Sequence, residues 1–143
     1  MTITQISAFV ENKAGKLAEV TETLGGHGID IRALSIADTS DFGILRLIVD
    51  KPAEAVKCLT EAGFIISETD VIAVPIEDSC GGLGKILRIF ADTDVSIEYC
   101  YAFVSRKENT AYVVFRVEDS RQAAKILDEH GIHQASPEDV YTL

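Results

Sequence analysis

The chain repeats itself, and that constrains its fold more than any other feature of the sequence. Displaced by 66 positions, Gly15 meets Gly81, Leu17 meets Leu83 and Ile31 meets Ile97. Displaced by 68, Val49 meets Val117, Ala55 meets Ala123, Lys57 meets Lys125, Leu59 meets Leu127, Glu61 meets Glu129 and Gly63 meets Gly131. The matches run in order, with two extra residues falling in a turn. A chain of 143 residues therefore reads as two copies of one small unit, 1–69 and 70–143.

Each copy carries the same succession of periods. Ile3 to Val10 alternates in part, with Ile6, Ala8 and Val10 on one face, which predicts a strand. Asn12 to Gly15 is a turn. From Lys16 the period lengthens, and Leu17, Val20 and Leu24 form a helical stripe. Gly25-Gly26-His27-Gly28 ends that helix. Ile29 to Ala37 and Phe42 to Val49 read as strands around a turn at 38–41. Pro52 opens a second helix, with Ala55, Val56 and Leu59 inward, and Gly63 stops it. In the second copy the turn is Asp78 to Gly82, followed by a helix through Leu83, Ile86, Leu87 and Phe90. Strands follow at Val95 to Phe103 and Ala111 to Val117, then a helix through Ala123, Ala124, Ile126 and Leu127.

The order is β-α-β-β-α-β, twice. Such a unit packs as one antiparallel sheet with both helices on one face, an α+β architecture. The other sheet face needs a cover, because burial of apolar surface contributes about 25 cal/mol per Å². One stretch serves both copies: Ile65 to Val74 matches His133 to Thr142, and Val71 to Ile76 also matches Gln5 to Val10. The last strand of copy one and the first of copy two thus overlap or lie end to end, and Asp70 to Ile76 reads as one strand belonging mainly to copy two.

Composition narrows the function. The hydrophobic fraction is 47% and the formal net charge −10. No Lys/Arg run offers the basic patch that nucleic acid requires, and the acidity disfavours an anionic membrane. No apolar run reaches the ~20 residues of a membrane span, and Met1 to Gln5 lacks the basic segment of a signal peptide. Three scattered cysteines, Cys58, Cys80 and Cys100, point to a reduced, cytoplasmic protein. His130 and His133 lack a third partner at metal spacing, so neither a metal nor a cofactor is expected. Cys58 and Cys100 read as packing residues. Cys80, near a helix start, has no histidine partner for nucleophilic chemistry.

Function concentrates in the first strand-to-helix turn of each copy, Glu11 to Leu17 and Glu77 to Leu83. A helix start leaves amides unpaired and carries about half a positive charge, while a glycine lets a ligand approach the backbone. Such a turn can hold a carboxylate without a cationic side chain. Asn12 and Asp78 are equally good helix caps, so capping stands beside binding as a reading of these residues. Tyr99, Tyr101 and Phe103 share one face of a strand and suit a core or an interface.

Strand, Asn12-Lys13-Ala14-Gly15-Lys16-Leu17, helix, then Gly28-Ile29-Asp30-Ile31 resembles an ACT domain, and Asp78 to Leu83 with Val95 to Tyr99 fits the same places in copy two. The chain as a whole resembles tandem ACT domains. Ala14 and Cys80 stand where that family often has proline, and Asp78 where it has asparagine. The resemblance implies two ferredoxin-like βαββαβ repeats pairing side by side, with a free L-amino acid held between one domain's turn and the second strand of a neighbouring domain. The implied ligand-binding residues are Asn12, Ala14, Gly15, Lys16, Leu17, Ile29, Asp30 and Ile31 in copy one. In copy two they are Asp78, Ser79, Cys80, Gly81, Gly82, Leu83, Val95, Ser96 and Ile97. The expectation is a non-catalytic, homodimeric sensor regulating a separate metabolic enzyme or transporter. The alternatives are a constitutive assembly protein that forms an oligomer or docks an enzyme, and a small enzyme using Cys80 or a carboxylate.

Overall fold

A computed structural model describes residues 2–38 and 41–142. The elements follow in the order β1 (Ile3–Glu11), α1 (Lys16–Gly26), β2 (Ile31–Asp38), β3 (Phe42–Val49), α2 (Pro52–Glu61), β4 (Ile65–Glu77), α3 (Gly82–Asp92), β5 (Ile97–Val104), β6 (Thr110–Val117), α4 (Ser120–Glu129) and α5 (Pro137–Tyr141). They gather into two compact units, Thr4–Thr69 and a second formed by Asp70 onward together with Ile3. Both are βαββαβ-type repeats, with antiparallel strands and the helices on one face. Of the expected turn at 38–41, Thr39 and Ser40 lie outside the described residues.

In the first unit β3 is flanked by β1 and β2, both antiparallel to it. Ile6 pairs with Leu47 and Ala8 with Leu45, so alternate residues of both strands face the helices. Val20 and Leu24 of α1 and Ala55, Cys58 and Leu59 of α2 close over them to form the core. A large apolar side chain buried there contributes about 1.5–3 kcal/mol. Leu17 was expected in the helical stripe but is 42% exposed, because it sits in the first turn of α1 beyond the layer that Val20 and Leu24 fill. α1 ends in a left-handed Gly28 (φ +68°), and the Ile29 amide returns to the Leu24 carbonyl at 3.0 Å. That cap carries Ile29 into the core, so β2 starts at Ile31 rather than Ile29.

In the second unit β6 lies between β4 and β5. Ile72, Val74, Val113, Phe115 and Val117 meet Ile86 and Phe90 of α3 and Ala123 and Leu127 of α4. The rings of Phe90 and Phe115 pack edge to face, 5.5 Å apart. Tyr99, Tyr101 and Phe103 do share a face, opposite Arg116, Val114 and Tyr112 on β6 and away from the helices. Phe103 stacks on Tyr112 at 5.2 Å. Cys100 does not pack as expected: it pairs with Phe115 at the edge strand β5, on the helix side, and is exposed.

The strand order departs from a plain duplication in two places. β4 is one continuous 13-residue strand, so the closing strand of copy one and the opening strand of copy two lie end to end. Copy two has no closing strand at His133–Thr142. Residues 132–136 have no regular secondary structure and are tied to β4 by the Ala135 amide on the Ala73 carbonyl (2.8 Å), and α5 takes the rest. The reason is local. Ser136 and Asp139 form a reciprocal capping box, with Pro137 in the first turn, which starts a helix where copy one extends its strand.

Candidate functional site: twin turns beside apolar concavities

The two strand-to-helix turns match bond for bond. The Asn12 amide donates to the Asp41 carbonyl (3.0 Å) and the Asp78 amide to that of Asn109 (2.8 Å), which ties each turn to its neighbouring hairpin. Lys13 donates to Glu11 (2.8 Å) as Ser79 does to Glu77 (2.9 Å). Lys16 donates to Lys13 (3.2 Å) as Gly82 does to Ser79 (3.1 Å). Gly15 and Gly81 occupy the N-cap position at the same left-handed φ of +85°, a conformation that favours glycine.

Neither helix start has a side-chain cap. The capping reading of Asn12 and Asp78 is therefore corrected: both lie three residues before the N-cap glycine. Among the described residues, the amides of Leu17 and Ala18, and of Leu83 and Gly84, meet no backbone carbonyl. These are the orphan donors that every helix start presents.

Beside the first turn is a concavity of about 130 Å³, lined by Val10, Glu11, Asn12, Lys13, Leu17, Ile36, Gly43 and Leu45. Val10, Leu45, Gly43 and Ile36 come from neighbouring positions on three strands: Val10 pairs with Gly43, and Leu45 with Ile36. In the second unit a wider concavity of about 320 Å³ shares three of the corresponding positions, Asp78, Ala102 and Ala111, and is otherwise lined by Phe103, Ser105, Lys107, Asn109 and Thr110. At the rim of the first, Lys13 pairs with Glu11 at 2.8 Å. That hydrogen bond and charge lower the Glu11 carboxyl below its usual value and raise the Lys13 ammonium above its own, so both stay ionised. Lys16 turns to Glu19 at 3.4 Å.

The expected site residues thus divide. Asn12 and Leu17 line the first concavity, and Ala14, Gly15 and Lys16 build the turn beside it. Ile29, Asp30 and Ile31 lie at the start of β2, at the far end of the strand from Ile36. Ile29 is buried in the core, Ile31 packs against it, and Asp30 holds Arg32 at 3.2 Å. The Asp30 amide is taken by the Asp50 carboxylate at 2.9 Å. In the second unit Asp78 lines the concavity, and Ser79, Cys80, Gly81, Gly82 and Leu83 build the turn. Val95 and Ile97 pack against the core, and Ser96 opens on a different hollow, with Asp94, Glu118, Asp119 and Gln122. Within one unit the turn and the start of the second strand do not meet.

Sequence reasoning missed Val10, Ile36, Gly43 and Leu45 as concavity residues. Nothing in their local pattern separates them from core positions; the register of three strands brings them together. Among the described residues no group of three His, Cys, Asp or Glu side chains is placed to hold a metal ion, and no helix is long and apolar enough to cross a membrane.

The profile of one family, the ACT domain pair, matches residues 1–143. Protein BT0572 from Bacteroides thetaiotaomicron is 38% identical, with a TM-score of 0.94 over 100% of this chain and 98% of that one. The ligand-free regulatory subunit of aspartate kinase from Thermus thermophilus is 18% identical, with a TM-score of 0.64 over 88% of this chain and 90% of that one. The same subunit from Thermus flavus, also 18% identical, gives a TM-score of 0.60 over the same shares. At these lower identities the likeness is one of fold. No curated protein matches the sequence significantly.

Proposed function

The chain belongs to the ACT domain pair family, a family of regulatory, ligand-binding modules, and on that premise we propose that it is a non-catalytic sensor of a free L-amino acid. The observation that carries the proposal is the uncapped start of α1, with amides of Leu17 and Ala18 that meet no backbone carbonyl, beside an apolar concavity. A carboxylate suits such amides electrostatically, with a gain of about 0.3–1 kcal/mol from the helix dipole and up to ~2 when partly buried. The Asn12 side chain at the rim can accept from an ammonium group. The amino acid's side chain enters the concavity.

The ligand is completed by the second strand of a neighbouring domain in a homodimer. In that arrangement Asp30, exposed at the start of β2, is the residue a second copy brings to the turn. Binding then favours one arrangement of the paired domains, and a separate metabolic enzyme or transporter reads the change. Such coupling requires different affinities for the two arrangements. Leu34 and Ile36, about half exposed on the helix side of β2, favour a second reading in which the same edge builds a constitutive assembly without ligand.

Thermal unfolding of the whole protein with each common amino acid in turn separates the two readings. A ligand at 100 times its Kd adds about 2.7 kcal/mol of stability. At least one amino acid raises the midpoint by several degrees if the sensor reading holds; no shift with any of them leaves the assembly reading.

A further inference from the structure

Resting on the amino-acid reading above, we infer that the first-repeat site selects an aliphatic amino acid and that Gly43 is the residue that makes room for its side chain. The side walls are Val10, Leu17, Ile36 and Leu45. The polar lining, Glu11, Asn12 and Lys13, is confined to the rim, where Lys13 and Glu11 pair with each other at 2.8 Å, so a ligand side chain that reaches past it meets only apolar groups. A buried polar side chain without a partner is penalised, whereas an aliphatic one gains by burial. Size agrees. An apolar cavity of about 150 Å³ holds a six-carbon ring, so about 130 Å³ suits the three- or four-carbon branched side chains.

The floor is Gly43. A Cβ there would lie 3.5 Å from Cγ2 of Ile36 and 3.8 Å from the Ala37 and Val10 carbonyl oxygens, all ordinary contacts. Nothing in the fold therefore demands glycine at this place, and its missing side chain is what keeps the floor open. Its counterpart by the repeat is Ala111, and that of Ile36 is Ala102. The second concavity thus has a methyl on the floor and a wall cut back. Asp78, Ser105, Lys107, Asn109 and Thr110 border it. The two concavities thus differ in chemistry, and the aliphatic preference belongs to the first alone.

Calorimetric titration of the full chain with leucine, isoleucine, valine, serine and aspartate tests this, alongside Gly43→Ala and Ile36→Ala. The expected result is at least about 10-fold tighter binding of one branched aliphatic amino acid than of serine or aspartate, the discrimination that apolar pockets give. Gly43→Ala, with an unfolding midpoint near that of the parent, should weaken leucine or isoleucine more than valine. Ile36→Ala should lose the aliphatic preference. Serine or aspartate binding as tightly as the aliphatics, or a Gly43→Ala protein with an unchanged order of affinities, overturns the selectivity and leaves the sensor reading intact. Binding of none of the five, together with no thermal shift from any other common amino acid, overturns both.

Discussion

Two glycines show how differently the same residue type is used in these turns. Gly15 is needed for its φ of +85°, yet a Cβ there meets nothing within 4 Å. Gly82 is needed for space: a Cβ would press into the Glu77 carbonyl oxygen, a backbone atom that cannot step aside. Gly15→Ala should therefore cost about 1–2 kcal/mol, the left-handed penalty alone, while Gly82→Ala costs about 3 kcal/mol through forced displacement. Urea denaturation of the two variants checks the order, and equal losses would remove the distinction. Valine at position 15 is a poorer probe, because a β-branched residue at positive φ strains the fold and the site together. The cysteines make a second residue-scale prediction. Burial raises the Cys58 thiol above its usual value, whereas Cys80 and Cys100 are exposed. A thiol reagent should label two cysteines in the native protein at neutral pH, and the third only on unfolding. Rapid labelling of all three would show that α2 opens.

At the scale of elements, α5 is where the second copy departs from the first, and its capping box makes the departure testable. Ser136→Ala removes the hydroxyl that accepts the Asp139 amide (3.0 Å) and should destabilise the second unit by about 1 kcal/mol. The Asp139 carboxyl is held below its usual value chiefly by the Ser136 amide. Its contribution is therefore present above the unfolded carboxyl value of about 3.9 and is lost as pH falls through the lower folded value. Asp139→Asn should lose most of that acid dependence; an unchanged acid limb would show that the box adds nothing. The same element shows what the sequence conveys. Strands and helices with clean periods, such as β3 and α3, are legible because each residue's neighbours along the chain decide its environment. Ser136-Pro137-Glu138-Asp139 carries a helix-start signal too, but the repeat argued for a strand, and the local cap prevails. Of the candidate site, the turns are legible, because glycine spacing marks backbone conformation. Val10, Ile36, Gly43 and Leu45 are not, because only strand register unites them.

For the whole molecule, the exposed apolar residues of β2 set the question of assembly. Leu34 and Ile36 face the helix side opposite buried Leu47 and Leu45, on a strand at the edge of its sheet. Ile36→Asp should shift sedimentation toward monomer, and a mass that does not change would move any interface elsewhere. Sensing by this protein requires that the first turn receive a zwitterion, and the most direct test is a crystal structure grown with a mixture of the common amino acids. The predicted result is one aliphatic amino acid with its carboxylate on the amides of Leu17 and Ala18 and its side chain over Gly43. A concavity closed by Leu17, or holding only solvent in every copy, would contradict it.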